Sequence, residues 1–74
     1  MRNTLDKLAL GEKARIERIL SDKEMKNWLL DIGLSKNTKV ECVLEGKNGE
    51  IKAYDIRGAI IALRKEDAKA IEIM

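Results

Sequence analysis

The clearest pattern along the chain is an amphipathic helix between residues 21 and 33. Its apolar positions recur at i, i+3, i+4 and i+7, the spacing of one helical stripe, and this predicts that the stripe packs on a core. Ser21 and Glu24 form a capping-box pattern, in which the serine hydroxyl caps the helix and the glutamate reaches back. Gly33 favours the left-handed conformation that ends a helix, and Leu34 then folds back onto the stripe. The stripe consists of Met25, Trp28, Leu29 and Ile32.

Most of the remaining chain has the pattern of short β-strands. In residues 12–20 the alternation slips at Leu20, which predicts a β-bulge or the end of the strand. In residues 39–44 the alternation places Cys42 and Leu44 on the inward face, beside Val40. The strands are predicted at residues 12–20, 39–44, 51–56, 59–64 and 71–73.

Turns and short helical segments separate these strands. Asn37 is the residue of its turn best able to adopt positive φ, and Asn48-Gly49 is a hairpin signal. Arg57-Gly58 makes the next turn. Thr4 is predicted to cap a helical turn over residues 4–8, and residues 65–70 have helix-forming composition.

The number and length of the strands predict the fold class. Five short strands cannot form two stacked sheets of useful size, so a sheet closed on itself is the economical way to bury one face and remove its edges. We therefore predict one domain over residues 1–74, mainly β with one helix: a small β-barrel of about five strands with the helix packed across it. Its predicted core contains Ile16, Leu29, Ile32, Val40, Ile61 and Leu63.

Composition excludes several classes of function. The 74 residues include 15 basic and 13 acidic side chains, a net charge of +2, which is too small and scattered for a dedicated nucleic-acid binder. There is no histidine and one cysteine, Cys42, so a zinc finger, a catalytic Cys/His pair and an internal disulfide are excluded. No apolar run approaches the ~20 residues of a membrane helix. We expect a protein of a reducing compartment that does not insert into the membrane.

The spacing of apolar residues and glycines resembles the FeoA family from end to end. The resemblance rests on Leu5-x-x-Leu8-x-x-Gly11-Glu12-x-Ala14-x-Ile16, Leu29-Leu30-Asp31-Ile32-Gly33-Leu34, Thr38-x-Val40 and Arg57-Gly58-x-x-Ile61-Ala62-Leu63-Arg64-x-x-x-Ala68-x-x-Ile71. Two departures are Asn37, where the family usually has glycine, and Gly46-Lys47-Asn48-Gly49, where the family often has a Gly-Asp-Pro-like segment.

The resemblance implies an SH3-like barrel and a cytoplasmic accessory role in bacterial ferrous iron uptake. The implied partner is the membrane transporter FeoB, whose cytoplasmic portion carries a GTP-binding domain. It implies neither a catalytic residue nor a bound cofactor, and we expect no enzymatic activity; a divalent transition metal is associated with the family only in general. A similar barrel in diphtheria-toxin-repressor-type regulators supplies the alternative of a metal-linked effector or sensor domain. Monomer and homo-oligomer both remain open.

Four residues are candidates for partner binding: Trp28, Leu30, Arg57 and Gly58. Leu30 lies nearly opposite the helical stripe, so it is expected to be exposed beside the outer edge of Trp28. Arg57 either contacts a partner, caps carbonyl groups or pairs with a carboxylate. Cys42 is expected to be a small buried hydrophobe, with a soft metal ligand as the alternative.

Overall fold

Strands form most of the regular structure of residues 3–74, the part of the chain that the computed structural model describes. Two 3-10 turns, here η1 and η2, and two helices lie between them. In chain order the elements are β1 (Asn3–Thr4), η1 (Leu5–Lys7), β2 (Lys13–Ile19), α1 (Lys23–Asp31), β3 (Lys39–Glu45), η2 (Lys47–Gly49), β4 (Ile51–Ile56), β5 (Ala59–Arg64), α2 (Lys65–Ala68) and β6 (Ile71–Ile73). The predicted strands are all present, and the two-residue β1 is an addition.

The strands form one antiparallel sheet of six strands in the order β1-β6-β2-β3-β4-β5. β2 changes partner along its length: Lys13 to Arg15 pair with β3, and Ile16 to Ile19 pair with β6. A register shift between Ile16 and Arg18 marks the irregularity, and the strand ends at Ile19. The sheet therefore bends at β2.

The predicted closure of the barrel is wrong for the hydrogen-bonded sheet. Within residues 3–74 no strand pairing joins β1 to β5, the two ends of the sheet. The reason is local: β1 is only two residues long, and β5 runs directly into α2. α2 contacts both β5 and η1, so helical segments and not a strand ladder lie between the two ends.

One hydrophobic core lies on the inner face of the bent sheet. The predicted core residues Ile16, Leu29, Val40 and Leu63 are buried there, whereas Ile32 and Ile61 are only partly buried against it. The predicted core set leaves out several residues that are as deeply buried. They are Leu5, Leu34, Tyr54, Ile56 and Ile71.

Two polar side chains of β4 fasten η1 to the sheet. The Tyr54 hydroxyl donates to the Leu5 carbonyl at 3.3 Å, and Lys52 Nζ donates to the carbonyls of Asp6 and Leu8 at 2.8 and 2.9 Å. Lys52 Nζ also lies 3.4 Å from a Glu45 carboxylate oxygen. These bonds satisfy carbonyl groups that a short 3-10 turn leaves free. The predicted cap at Thr4 is wrong, because its hydroxyl donates to the Asp6 carboxylate.

α1 begins one residue later than the capping-box prediction places it. Asp22, not Ser21, is the cap: its carboxylate accepts from the Met25 amide at 2.9 Å, whereas the Ser21 hydroxyl has no hydrogen-bond partner among the described residues. A carboxylate is the stronger acceptor at a helix N-terminus because it also complements the helix dipole. The helix start is therefore decided by charge.

The C-terminus of α1 has the predicted geometry. Gly33 adopts φ 103°, its amide donates to the Leu30 carbonyl at 3.0 Å, and the Leu34 amide donates to the Leu29 carbonyl at 2.9 Å. These two bonds are the Schellman pattern. Leu34 is fully buried, so the fold-back adds an apolar anchor at this end of the helix.

Candidate docking surface

α1 presents more apolar surface to solvent than its sequence pattern predicts. Only Leu29 is fully buried, Met25 and Ile32 are partly buried, and Trp28 is 44% exposed. The prediction that Trp28 belongs to the buried stripe is therefore wrong, because this nine-residue helix packs through the narrow line around Leu29. Leu30 is 43% exposed, which confirms its expected exposure.

Trp28 and Leu30 do not form one patch on the helix. Side chains two residues apart are separated by about 160° around the helix axis, so Trp28 and Leu30 lie on either side of the buried Leu29. They therefore belong to two different sides of α1. Leu30 lies in the last turn of α1, and its carbonyl accepts from the Gly33 amide where the helix ends.

The Arg57-Gly58 turn lies beside that end of α1. Arg57 and Gly58 have φ of 54° and 90°, the two positive values of a two-residue hairpin turn, and the Asp55 carboxylate accepts from the Gly58 amide at 2.9 Å. The Arg57 side chain lies against Gly33, where an added Cβ would be 3.2 Å from Arg57 Cδ. The turn is thus brought to the C-terminus of α1, where a positive charge complements the helix dipole.

Arg57 does not take the alternative role of capping a carbonyl or pairing with a carboxylate. Its guanidinium makes no hydrogen bond or ion pair with any residue in 3–74. The planar head with its five N–H donors is therefore free to meet another molecule.

A groove of about 430 Å³ adjoins the same turn on the outer face of the sheet. The cationic residues that line it are Lys13, Arg15, Lys39 and Arg57, and Glu41 and Asp55 are its acidic residues. The sequence analysis missed this site because the residues come from three strands. The only local signal was the repeat of charged residues at alternate positions in β2 and β3.

A second apolar area lies on the outer face of the β3–β4–β5 part of the sheet, where Ile51 and Ile60 are exposed. Leu44 is exposed there too, at 61%, and its predicted inward orientation is wrong. A register shift between Cys42 and Leu44 reverses the alternation at that point. The bulge thus moves a large apolar side chain from the core to the surface.

Cys42 is buried, as predicted, and its Sγ lies 3.8 Å from the Leu44 carbonyl. Burial raises the pKa of the thiol above its ordinary value, so the neutral form is favoured. A neutral buried thiol is a poor metal ligand, because metals bind the thiolate. No three Cys, Asp or Glu side chains within residues 3–74 are grouped closely enough to hold a metal ion.

None of the helices in residues 3–74 has the length and apolar character that a membrane crossing requires.

Comparison with known proteins gives a consistent result. A family model described as FeoA domain matches residues 3–74. A curated protein of Campylobacter jejuni, named as a candidate Fe(2+) transport protein A, is 31% identical over 70 residues, which cover 95% of each chain.

Solved structures show the same fold. FeoA of Stenotrophomonas maltophilia in complex with zinc, described as an SH3 domain protein, superposes with a TM-score of 0.86 at 25% identity and covers 97% of this chain and 89% of that one. A manganese-dependent transcriptional repressor superposes with a TM-score of 0.83 at 21% identity, and the match covers 99% of this chain but 41% of the repressor. The chain therefore has the small, mainly antiparallel SH3-like fold.

Proposed function

The chain belongs to the FeoA family, which takes part in ferrous iron transport, and from this premise we propose that it acts in the cytoplasm as an accessory protein of the membrane transporter FeoB. It acts in this proposal by binding the cytoplasmic portion of the transporter, without catalysing a reaction. The family match supports the connection with ferrous iron. The surface around α1 supports binding as the mode of action.

The observation that carries the proposal is the exposed Leu30 on a helix fixed at both ends. Asp22 caps the start of α1, and the Schellman bonds of Gly33 and Leu34 fix its end. A large apolar side chain on a rigid backbone loses little conformational entropy when a partner covers it. Leu30 therefore suits an anchor in a protein interface.

Arg57 supplies a polar group at the same end of α1. Its side chain lies against Gly33, three residues after Leu30, and its guanidinium has no partner within residues 3–74. An apolar anchor beside an arginine is a combination that interfaces favour. We therefore place the contact at the Leu30 side of α1 and the Arg57-Gly58 turn, with Trp28 at a separate side of the helix.

Ferrous iron uptake by cells tests the proposal. In the organism that carries this gene, deletion should lower uptake of ferrous iron, and the parent chain should restore it. Leu30→Glu should fail to restore uptake although it is made in the same amount. The matched control is Leu10→Glu, since Leu10 is also an exposed leucine, at 60%, but lies outside α1. Unchanged uptake in the deletion strain would refute the proposed function.

The likeness to the manganese-dependent repressor is the reason to test a second candidate function, that of a metal-linked effector or sensor domain. At 21% identity this likeness concerns the fold alone. The absence of a metal-binding cluster within residues 3–74 counts against it. Anaerobic calorimetric titration with ferrous, manganous and zinc ions is the test. Stoichiometric binding that is lost in Cys42→Ser would favour this second function.

A further inference from the structure

From the outer face of the sheet we infer that the groove between β2, β3 and the Arg57-Gly58 turn binds an extended, acidic segment of another protein. The inference goes beyond the proposed function, because it holds whichever protein carries the segment. It rests on how the strand register arranges the charged side chains.

Three cationic residues form a row across β2, β3 and the turn that follows β4. Arg15 is the direct cross-strand partner of Lys39. Ile56 is the partner of Val40, so the same register brings the next residue, Arg57, to the position beside Lys39. We call Arg15, Lys39 and Arg57 the basic row.

The basic row is unfavourable for the isolated chain. Like charges directly opposite each other in an antiparallel pair are destabilising. No residue within 3–74 forms an ion pair with any member of the row. Arg57 adds a second cost, since a non-glycine residue at φ 54° is strained in a turn position that asparagine or glycine fills more easily. Costs of two different kinds therefore converge on one groove, which is typical of binding sites.

The row is also prepared to receive carboxylates. Arg15 Nη1 donates to the Asn37 carbonyl at 2.9 Å, which fixes the guanidinium while its other N–H groups stay available. Arg57 Cδ lies against Gly33, which restrains the second guanidinium. Neighbouring strands are about 4.8 Å apart, so the row spans about 10 Å, and carboxylates at alternate positions of an extended peptide, about 7 Å apart, fit within it. Arginine binds carboxylates strongly through paired hydrogen bonds.

The second row of charges decides which kind of anion fits. This second row lies two residues along the strands from the basic row and runs parallel to it. It consists of Lys13, Glu41 and Asp55, because Glu41 is the cross-strand partner of Lys13 on one side and of Asp55 on the other. Its two carboxylates would repel a uniform polyanion such as a nucleic acid or an anionic membrane surface. No aromatic side chain lines the groove for base stacking, since Tyr54 is buried. A peptide whose acidic residues lie along the basic row, and which carries a basic side chain that reaches sideways toward Glu41 and Asp55, matches both rows.

Selection from a library of random short peptides on the immobilised chain tests the inference. Enriched peptides should carry at least two Asp or Glu residues. When such a peptide is added to the isotope-labelled chain, the backbone amides whose NMR chemical shifts change should be those that line the groove. Lys39→Glu should weaken their binding by about tenfold or more. The matched control is Lys23→Glu, an exposed charge reversal on α1 that should bind as the parent does.

The stability of Lys39→Glu separates binding from a structural role. The substitution places an acidic residue opposite Arg15, so the variant should melt at or above the temperature of the parent while it loses the peptide. The inference is overturned if no acidic peptides are enriched or if Lys39→Glu binds them as the parent does. Equal or tighter binding of inorganic phosphate or oligothymidylate in the groove would overturn the assignment to a peptide.

Discussion

Replacing Lys52 with methionine removes an anchor that only the structure revealed. The Lys52 ammonium donates to the carbonyls of Asp6 and Leu8 at 2.8 and 2.9 Å, and its side chain is 11% exposed. Methionine keeps the length and the apolar stem of lysine, so the substitution removes only the two hydrogen bonds and the partly exposed ion pair with Glu45. It leaves two carbonyl groups of the η1 region without their donor.

The expected loss follows from two opposing effects. Hydrogen bonds to a charged group contribute about 1.5–3 kcal/mol each, but a buried ammonium is costly to remove from water, and the variant is relieved of that cost. We expect the net free energy of unfolding to fall by about 2 kcal/mol. A chain of this length has about 4–11 kcal/mol in total, so the melting temperature should drop by about 8–16 °C.

Urea unfolding followed by circular dichroism measures this loss directly. The control is Lys47→Met, the same chemical change in the exposed η2 turn, which should stay within about 0.5 kcal/mol of the parent. If Lys52→Met is as stable as Lys47→Met, the two carbonyl contacts do not hold η1 on the sheet.

Two further predictions concern the core. Leu63→Ala should cost about 2–5 kcal/mol in the free energy of unfolding because Leu63 is buried, whereas Ile60→Ala on the exposed face of β5 should cost less than about 0.5 kcal/mol; similar melting temperatures would show that the faces of β5 are misassigned. In the unfolded chain the Cys42 thiol has its ordinary pKa of 9.0, whereas burial raises its pKa in the folded chain. Above about pH 9 the unfolded chain therefore loses this proton more readily than the folded chain does, and the free energy of unfolding falls as the pH rises. Between about pH 7.5 and 9.5 the urea midpoint should therefore fall more in the parent than in Cys42→Ala. An equal fall in both proteins would contradict the burial of the thiol.

Local signals in the sequence predicted the elements well. The end of α1 depends on Gly33 and Leu34, both within one turn of the helix, and the positive φ of Asn37 depends on its own side chain. The start of α1 was misplaced because Ser21 and Asp22 both carry cap acceptors, and the hydroxyl pattern alone does not rank them.

Features that depend on register or on the extent of a contact were not predictable. The bulge after Cys42 turns Leu44 outward without any glycine or proline to mark it. A helical stripe gives the direction of a buried face but not its width, so the exposure of Trp28 was missed. The basic row exists only through the pairing of β2, β3 and β4, which the alternation within single strands does not specify.

Binding to FeoB is tested most directly by the dissociation constant between this chain and the cytoplasmic portion of the FeoB transporter from the same genome, measured under reducing conditions. We expect saturable binding that Leu30→Glu weakens by about tenfold or more and that Leu10→Glu leaves unchanged. Leu30→Glu should keep the melting temperature of the parent, because Leu30 is exposed. Equal binding by both variants would place the contact away from α1, and no binding of the parent chain would show that this chain does not act by binding FeoB.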